Sequence, residues 1–287
     1  MPGMRGDSDN PGSGTAGLAS APGTGGLAAA LRGRVRRHLS EDRLAFVVVI
    51  GLILIAMQVA SLVAPDYIAP PPLEIVISVW QSLTVYSVDI AVTLLRLFAA
   101  LVFALLVGTT LGIVMGTFPR ARPYLRALVL IDTGIPALSW MLVSVFWFRR
   151  PEVRIFFIMA VILIPFYALN VYDGVRALPK ELAEMSESFR PSRLQIMRHI
   201  LLPHISAYVL LTTKSVIGYA SRMVIFAELI GAAVGVGARM GLAQANFDMK
   251  VVLAWTVILV AFNLAAQQIV MAIEARLLRW RPDAEIR

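Results

Sequence analysis

Long runs of apolar residues constrain the fold of this chain more than any other feature of its sequence. The first run, Leu44 to Ala64, carries no charge and is long enough to cross about 30 Å of hydrocarbon at about 1.5 Å per helical residue. Charged residues make up 15% of the chain and hydrophobic residues 58%, whereas soluble domains carry about 25% charged residues. The sequence therefore predicts an integral membrane protein. The further predicted spans are Leu97–Phe118, Ala127–Phe148, Ile155–Tyr172, Ile205–Ala227 and Val251–Ile273.

The predicted fold class is an all-α membrane protein with about six transmembrane helices. The third span is interrupted by Asp132 and Pro136, and the fourth contains Pro165. Leu73 to Thr84 is amphipathic and is predicted to lie at the outer membrane surface. Gly231 to Lys250 is rich in glycine and is predicted to form a loop before the last span.

The residues before the first span have a different composition. Residues 1 to about 30 are mostly Gly, Ser, Ala, Pro and Thr, a composition that cannot bury enough apolar surface to offset chain entropy. We therefore divide the chain into a disordered, basic N-terminal tail, residues 1–43, and a transmembrane domain, residues 44–287. The run that follows the tail is too long and too far from the start for a signal peptide, so we interpret it as an uncleaved anchor.

Arginines at the ends of the apolar runs set the predicted orientation. The N-terminal tail, the loop around Arg120, the segment 173–204 and the C-terminal tail share one side, which should be cytoplasmic because Lys and Arg favour that side. Both termini are then cytoplasmic. This distribution explains the net charge of +8, so nucleic acid is not a predicted partner. The exceptions on the opposite side are Arg149, Arg150, Arg154 and Arg239.

The segment 173–204 is a polar, charged stretch between two apolar runs. Pro179 is suited to the first position of a helix, and Leu182, Met185 and Phe189 fall on one face of that helix. Arg190 precedes a proline and should end the helix. A second helix should run from about Arg193 until Pro203 ends it. Two short amphipathic helices with a bend predict a docking element.

This segment resembles the cytoplasmic EAA loop of ATP-binding-cassette (ABC) importer permeases. The family pattern is Glu-Ala-Ala, three residues, Gly, nine residues and Ile-x-Leu-Pro, and this chain matches it at Glu184, Ile200, Leu202 and Pro203. It departs from the pattern at Met185 and Ser186, and at Arg190, where the family has a glycine. The resemblance implies that the following residues couple the chain to an ATPase: Leu182, Glu184, Met185, Phe189, Arg190, Ile200 and Pro203.

The resemblance covers about residues 96–282. Within this range the chain is similar to the sulfonate, taurine and nitrate branch of these permeases. Its further motifs are Ile135 to Trp140, Asn170 to Arg176, Phe226 to Leu229 and Gly235 to Gly237. The chain departs from that branch at two arginines, Arg149 and Arg222.

Membership in this family would imply a set of partners in a bacterial inner membrane. Two ATPase subunits, a second permease copy or a close relative, and an extracytoplasmic substrate-binding protein would complete the importer. ATP and magnesium would bind the ATPase, because this chain has no P-loop among its three lysines and no cofactor site of its own. It has no cysteine, no metal-ligand spacing of its histidines and no hydrolase elbow, so it is not predicted to be an enzyme.

Ionisable residues within or beside the spans are candidates for a solute pathway. Such groups are costly in lipid and should face a partner helix or an aqueous cavity; pairing between helices is the alternative for each. Lys214 and Arg222 are about two helical turns apart and share a face, which suits an anionic solute. The candidates are Asp132, Trp140, Lys214, Arg222 and Glu228.

Gly108, Gly112 and Gly116 recur every four residues and are predicted to pack against another helix.

Two other functions remain open from the sequence. An ion-gradient-driven secondary transporter is one, although no inverted repeat or pair of interrupted helices is evident. A structural or signalling membrane protein is the other, and it would leave the charges within the spans unexplained. The sequence does not identify the solute.

Overall fold

The computed structural model describes residues 24–65, 67–179 and 192–277, and these residues form helices and connecting turns without a strand. The helices are α1 (Thr24–Val63), α2 (Pro72–Val85), α3 (Ser87–Thr117), α4 (Arg122–Gly134), α5 (Ala137–Trp147), α6 (Pro151–Arg176), α7 (Arg193–Ile196), a π-helical segment (Met197–Leu201), α8 (Leu202–Gly231), α9 (Val236–Ala245) and α10 (Met249–Leu277).

The predicted fold class, all-α with about six spans, is confirmed. Five helical stretches in the described residues are long and apolar enough to cross a membrane, and the bent pair of α4 and α5 makes a sixth. That pair bends by 96° at Ile135 and Pro136. The residue before a proline is driven out of helical conformation, and Ile135 is indeed extended, with φ −85° and ψ 124°. The interruption predicted within the third span is therefore a sharp break.

The described residues divide into two units, with the boundary between Ala56 and Met57. In the first unit, the backbone of residues 24–43 belongs to α1. The alanines, leucines and arginines of this segment are strong helix formers. The division into a disordered tail, residues 1–43, and a transmembrane domain stays a prediction. The remainder of α1, from Leu44, has mostly exposed apolar side chains, as expected of a helix that faces lipid.

The core of the second unit lies along α6, which packs against both α3 and α8. Ile158, Met159, Leu163 and Tyr167 of α6 are fully buried, whereas the outward faces of α3 and α10 expose large apolar side chains. We call the end of this bundle that holds Gly116, Gly174 and His204 the loop end. The opposite end, which holds Arg96, Glu152 and Glu228, is called the network end.

Two boundaries differ from the prediction because tertiary packing overrides local signals. Pro203 does not end a helix: it lies in the first turn of α8, directly after the π-helical segment. There the amide of Leu202 bonds the carbonyl of Met197, five residues back, and the wider turn accommodates the proline ring. The predicted loop from Gly231 to Lys250 also contains a helix, α9.

Candidate functional site

The glycine stripe of α3 lies directly against α6. A Cβ atom added at Gly108 would lie 2.6 Å from the Cβ of Tyr167, and one added at Gly112 would lie 2.7 Å from the carbonyl oxygen of Ala168. Added at Gly116, it would overlap the side chain of Val175. These separations are too short for any side chain, so the three glycines set how closely the two helix axes approach.

At the network end, Glu228 of α8 is completely buried and is held by three residues from two other helices, α3 and α9. The hydroxyl of Thr93 donates to both of its carboxylate oxygens, at 2.8 and 2.9 Å. The guanidinium of Arg96 donates to Oε1 at 2.7 Å, and the backbone amide of Gly237 donates to Oε2 at 2.9 Å. A buried carboxylate with this many charge-assisted and neutral donors is fully satisfied.

The same network caps the N-terminus of α9. The first amides of a helix lack intrahelical acceptors and carry partial positive charge, so nearby carboxylates stabilise them. Asp89 accepts a bond from the amide of Gly235 at 2.8 Å, and the hydroxyl of Thr93 accepts one from Val236 at 2.9 Å. Gly235 has φ +129°, and a Cβ there would lie 2.6 Å from Glu228. Only glycine fits this turn.

Two further ion pairs extend the network toward the surface. Arg96 also pairs with Glu152 of α6 through Nε and Nη2, with an Nε to Oε2 distance of 2.7 Å, and donates to the carbonyl of Val234 at 2.8 Å. Arg239 of α9 lies 3.0 Å from a carboxylate oxygen of Asp89. The network thus joins α3, α6, α8 and α9, and it gives Arg239, an exception to the charge rule, an acidic partner.

Sequence reasoning did not identify Asp89, Thr93, Arg96 or Glu152 as site residues. A signal was available, since Asp89, Thr93 and Arg96 are four and three residues apart and therefore share one face of an apolar helix. What the sequence could not supply is their partner, because Glu228 lies 132 residues from Arg96.

Lys214 and Arg222 lie in the middle of α8 on one face, with Gly218 between them. Lys214 is half-buried and Arg222 is exposed, and the Nε of Arg222 donates to the carbonyl of Gly218 at 3.1 Å. A Cβ added at Gly218 would lie 3.1 Å from Oδ1 of Asn263 and 3.5 Å from Nε2 of Gln267, so two amides of α10 border this face. Within the described ranges, neither cation forms an ion pair.

Asp132 and Trp140 border a cavity of about 120 Å³ at the bend between α4 and α5. Phe166 of α6 and Tyr219 of α8 line the same cavity, with ring centroids 5.3 Å apart. Asp132 is half-buried and has no ion-pair partner among the described residues.

The first half of the docking element lies outside the described residues; Leu182, Glu184, Met185, Phe189 and Arg190 belong to it. Its second half is described, and Leu201 and Ile205 are buried against Val171 of α6. Ile200 is half-buried, and Pro203 is exposed. His204 Nε2 lies 3.1 Å from the carbonyl oxygen of Gly174, which ties the start of α8 to the end of α6.

The described residues contain no cluster of His, Cys, Asp or Glu arranged to hold a metal ion.

Comparison with known proteins shows that this chain is similar to transport permeases. A family model described as a binding-protein-dependent transport system inner membrane component matches residues 108–279. The taurine transport system permease protein of Escherichia coli K12 is 25% identical over 78% of this chain and 84% of its own length. The nitrate import permease protein of Leptolyngbya laminosa is 26% identical over 52% of this chain. The match spans about half (53%) of that relative's length.

Two solved structures share the fold. A chain of the MetNI methionine ABC transporter, in an inward-facing conformation, superposes with a TM-score of 0.55 and 18% identity, covering 67% of this chain and 97% of the other. A chain of an amino acid ABC transporter superposes with a TM-score of 0.56 and 14% identity, covering 70% of this chain and 97% of the other.

Proposed function

Because this chain belongs to the family of binding-protein-dependent transport system inner membrane components, it is a permease of an ABC importer, and we propose that it conducts a small anionic solute. The family resides in bacterial inner membranes and crosses them several times. Membership in this family also favours ATP-driven import over the ion-gradient-driven transport that the sequence left open.

The proposal of an anionic solute rests on one observation: neither Lys214 nor Arg222 forms an ion pair with a described residue. Two cations in one membrane helix are costly unless an anion, water or a partner compensates them. No carboxylate in the described part of the chain does so, and the neighbouring groups, Asn263 and Gln267, are neutral amides that also bind anions. Taurine and nitrate, the solutes named for two relatives, both carry an anionic oxygen group.

The partners follow from the family. We propose that two copies of this chain, or one copy and a close relative, enclose the pathway, and that an extracytoplasmic binding protein delivers the solute. Two ATPase subunits would bind ATP and magnesium, and they would contact the docking segment 173–204. The loop end of the bundle would then be cytoplasmic, together with both termini.

Helix α8 is the element we propose to transmit movement from the ATPase. It begins inside the docking segment and continues for 30 residues to Gly231, which is about 45 Å at 1.5 Å per residue. At its start Leu201 and Ile205 anchor it to α6, and near its end Glu228 anchors it to α3 and α9. Lys214 and Arg222 lie between these two anchors, so a tilt of α8 would move the cations within the pathway.

The test is ATP-driven uptake by the complete importer reconstituted in lipid vesicles. Arg222→Met keeps the length of the side chain and removes its charge, and it should lower uptake about tenfold or more while ATPase binding stays intact. Arg222→Lys is the matched control, because it retains a cation and should keep most of the activity. Equal uptake by wild type and Arg222→Met would contradict an anion path along this face.

A further inference from the structure

A groove lies between α3 and α6 at the network end of the bundle. Its volume is about 350 Å³, above the roughly 300 Å³ at which pockets for drug-sized ligands begin. Four exposed apolar residues and two charged residues line it: Leu95, Ala99, Val153 and Phe156, with Arg96 and Glu152. We call it the α3–α6 groove. Because its apolar walls are exposed, the groove opens on the outside of the bundle.

The α3–α6 groove starts at the edge of the membrane and continues toward its interior. Arg96 and Glu152 lie one and three residues outside the predicted spans, so they stand at the level of the lipid head groups. Ala99 and Phe156 lie about one helical turn deeper. Phe103 is one turn further along α3, and its ring centroid is 5.0 Å from that of Phe156. Apolar walls at this depth suit an acyl chain.

The charges at the outer end of the groove do not cancel. Arg96 carries one positive charge and pairs with two carboxylates, those of Glu152 and Glu228. Glu228 is buried with all its donors in place, so the excess negative charge resides on the exposed Glu152. A carboxylate offers about four acceptor sites, and Arg96 uses two of them through Nε and Nη2. Glu152 can therefore accept further hydrogen bonds from a cationic donor.

Two exposed arginines stand beside this carboxylate. Arg149 and Arg150 lie three and two residues before Glu152, in the turn between α5 and α6. Neither forms an ion pair with a carboxylate of the described residues. Arginine is well suited to bind phosphate, because its planar guanidinium donates two parallel hydrogen bonds. The outer end of the groove thus offers partners to a ligand that carries both an ammonium and a phosphate.

We propose that the α3–α6 groove binds phosphatidylethanolamine, a phospholipid whose head group combines a phosphate with a primary ammonium. The ammonium donates to Glu152, the phosphate pairs with Arg149 and Arg150, and an acyl chain lies along Ala99 and Phe156. Phosphatidylcholine fits less well, because its quaternary ammonium has no N–H to donate. Phosphatidylglycerol lacks a cation, so nothing in its head group offsets repulsion by Glu152.

This lipid site is independent of the solute, because its ligand comes from the bilayer. With the loop end cytoplasmic, as proposed above, the lipid belongs to the outer leaflet. Its head group would join α3 to α6 beside the buried pair of Arg96 and Glu228.

The first experiment compares the lipids that the full-length permease retains. The protein, together with the subunits that co-purify with it, is equilibrated in mixed micelles with equal amounts of phosphatidylethanolamine, phosphatidylcholine and phosphatidylglycerol. Native mass spectrometry then counts the lipids bound per chain. Wild type should retain phosphatidylethanolamine about tenfold more strongly than the other two, the difference expected for a hydrogen bond to a charged group.

Glu152→Gln tests the contact with the ammonium. It keeps the shape of the side chain and removes its charge, so it should abolish the preference for phosphatidylethanolamine over phosphatidylcholine. Asp173→Asn changes an exposed carboxylate at the opposite end of α6, and this matched control should keep the preference. A purely structural role of Glu152 would not alter which head group is retained, so the ratio of the two lipids reports on the contact itself.

Ala99→Phe tests the apolar part of the site. The larger side chain fills the groove and should lower the retention of phosphatidylethanolamine several-fold. Ala91→Phe makes the same change at an exposed position of α3 that does not line the groove, and it should retain the lipid as wild type does. This pair of variants keeps the inference testable if Glu152→Gln fails to assemble.

Three results would overturn the inference. The first is equal retention of phosphatidylethanolamine and phosphatidylcholine by wild type, or an unchanged preference in Glu152→Gln. The second is a preference for phosphatidylglycerol, which would show that the arginines alone select the lipid. The third is wild-type retention by Ala99→Phe, which would place the lipid outside this groove. Since these measurements use neither ATP nor solute, failure of the proposed anion pathway would leave them unaffected.

Discussion

Arg96 and Glu228 form an ion pair in the interior of the bundle, with Nη1 and Oε1 2.7 Å apart and a separation of 132 positions in sequence. The side chain of Glu228 is 0% exposed and that of Arg96 is 9% exposed. The pair holds α3 to the last turn of α8, at the point where α9 turns back into the bundle. The sequence made Glu228 a candidate for the solute pathway, with pairing between helices as the alternative. In the structure Glu228 is paired between helices.

Removing the buried partner of Arg96 should be much more costly than removing the exposed one. Glu228→Gln leaves a buried guanidinium without its interior counter-charge, and we expect a loss of about 3–5 kcal/mol in stability. Glu152→Gln is the control at the same arginine; because the side chain of Glu152 is 65% exposed, we expect a loss of about 1 kcal/mol or less. Thermal unfolding of the two variants in the same detergent measures the difference. Equal destabilisation by both would show that burial does not govern this network.

The glycine stripe should tolerate no side chain. We expect Gly112→Ala to reduce, and Gly112→Leu to abolish, the yield of monodisperse protein, because a Cβ at this position lies 2.7 Å from both the carbonyl of Ala168 and the Cβ of Val171. Gly134→Ala is the control, since a Cβ there has no atom within 4 Å. Size-exclusion chromatography of the membrane extract gives the yields. Wild-type yield of Gly112→Leu would count against close packing of α3 on α6.

The docking segment should lose its ATPase when the charge of Glu184 is reversed. The resemblance to the EAA loop implies that this residue lies at the contact, and Glu184→Lys should then weaken ATPase binding by roughly 2–5 kcal/mol if the carboxylate is buried there. Glu74→Lys makes the same change in net charge on α2, which is predicted to lie at the outer membrane surface, and should bind the ATPase normally. Co-purification of the ATPase and solute-stimulated ATP hydrolysis are the two measurements. Unchanged binding and coupling in Glu184→Lys would remove Glu184 from the interface.

Several elements were predictable because their signals are local. An uncharged run such as Leu44 to Val63 has no alternative to a helix in lipid, so the spans and their order follow from composition alone. The break at Pro136 follows from the geometry of proline and of the residue before it. The spacing of Gly108, Gly112 and Gly116 marks one helix face, and α6 is the helix that covers it.

Other elements were not predictable because two signals competed. Pro203 is a helix breaker by local rules, yet the helix continues through it because a π turn and the burial of Leu201 and Ile205 hold the chain in place. The glycines between Gly231 and Gly241 indicate a loop, yet α9 forms because Asp89, Thr93 and Glu228 accept its first amides.

The sequence by itself determined that this chain lies in a membrane, where its helices run and which family its docking segment resembles, since hydrophobicity, helix-breaking residues and a spaced motif act within short stretches of chain. Only the tertiary structure decided the role of each charge within the spans. Glu228 and Asp132 are both acids in apolar surroundings, but packing gives Glu228 three donors and leaves Asp132 beside an open cavity. The free energy of a buried charge depends on which groups surround it, and those groups come from helices far apart in the sequence.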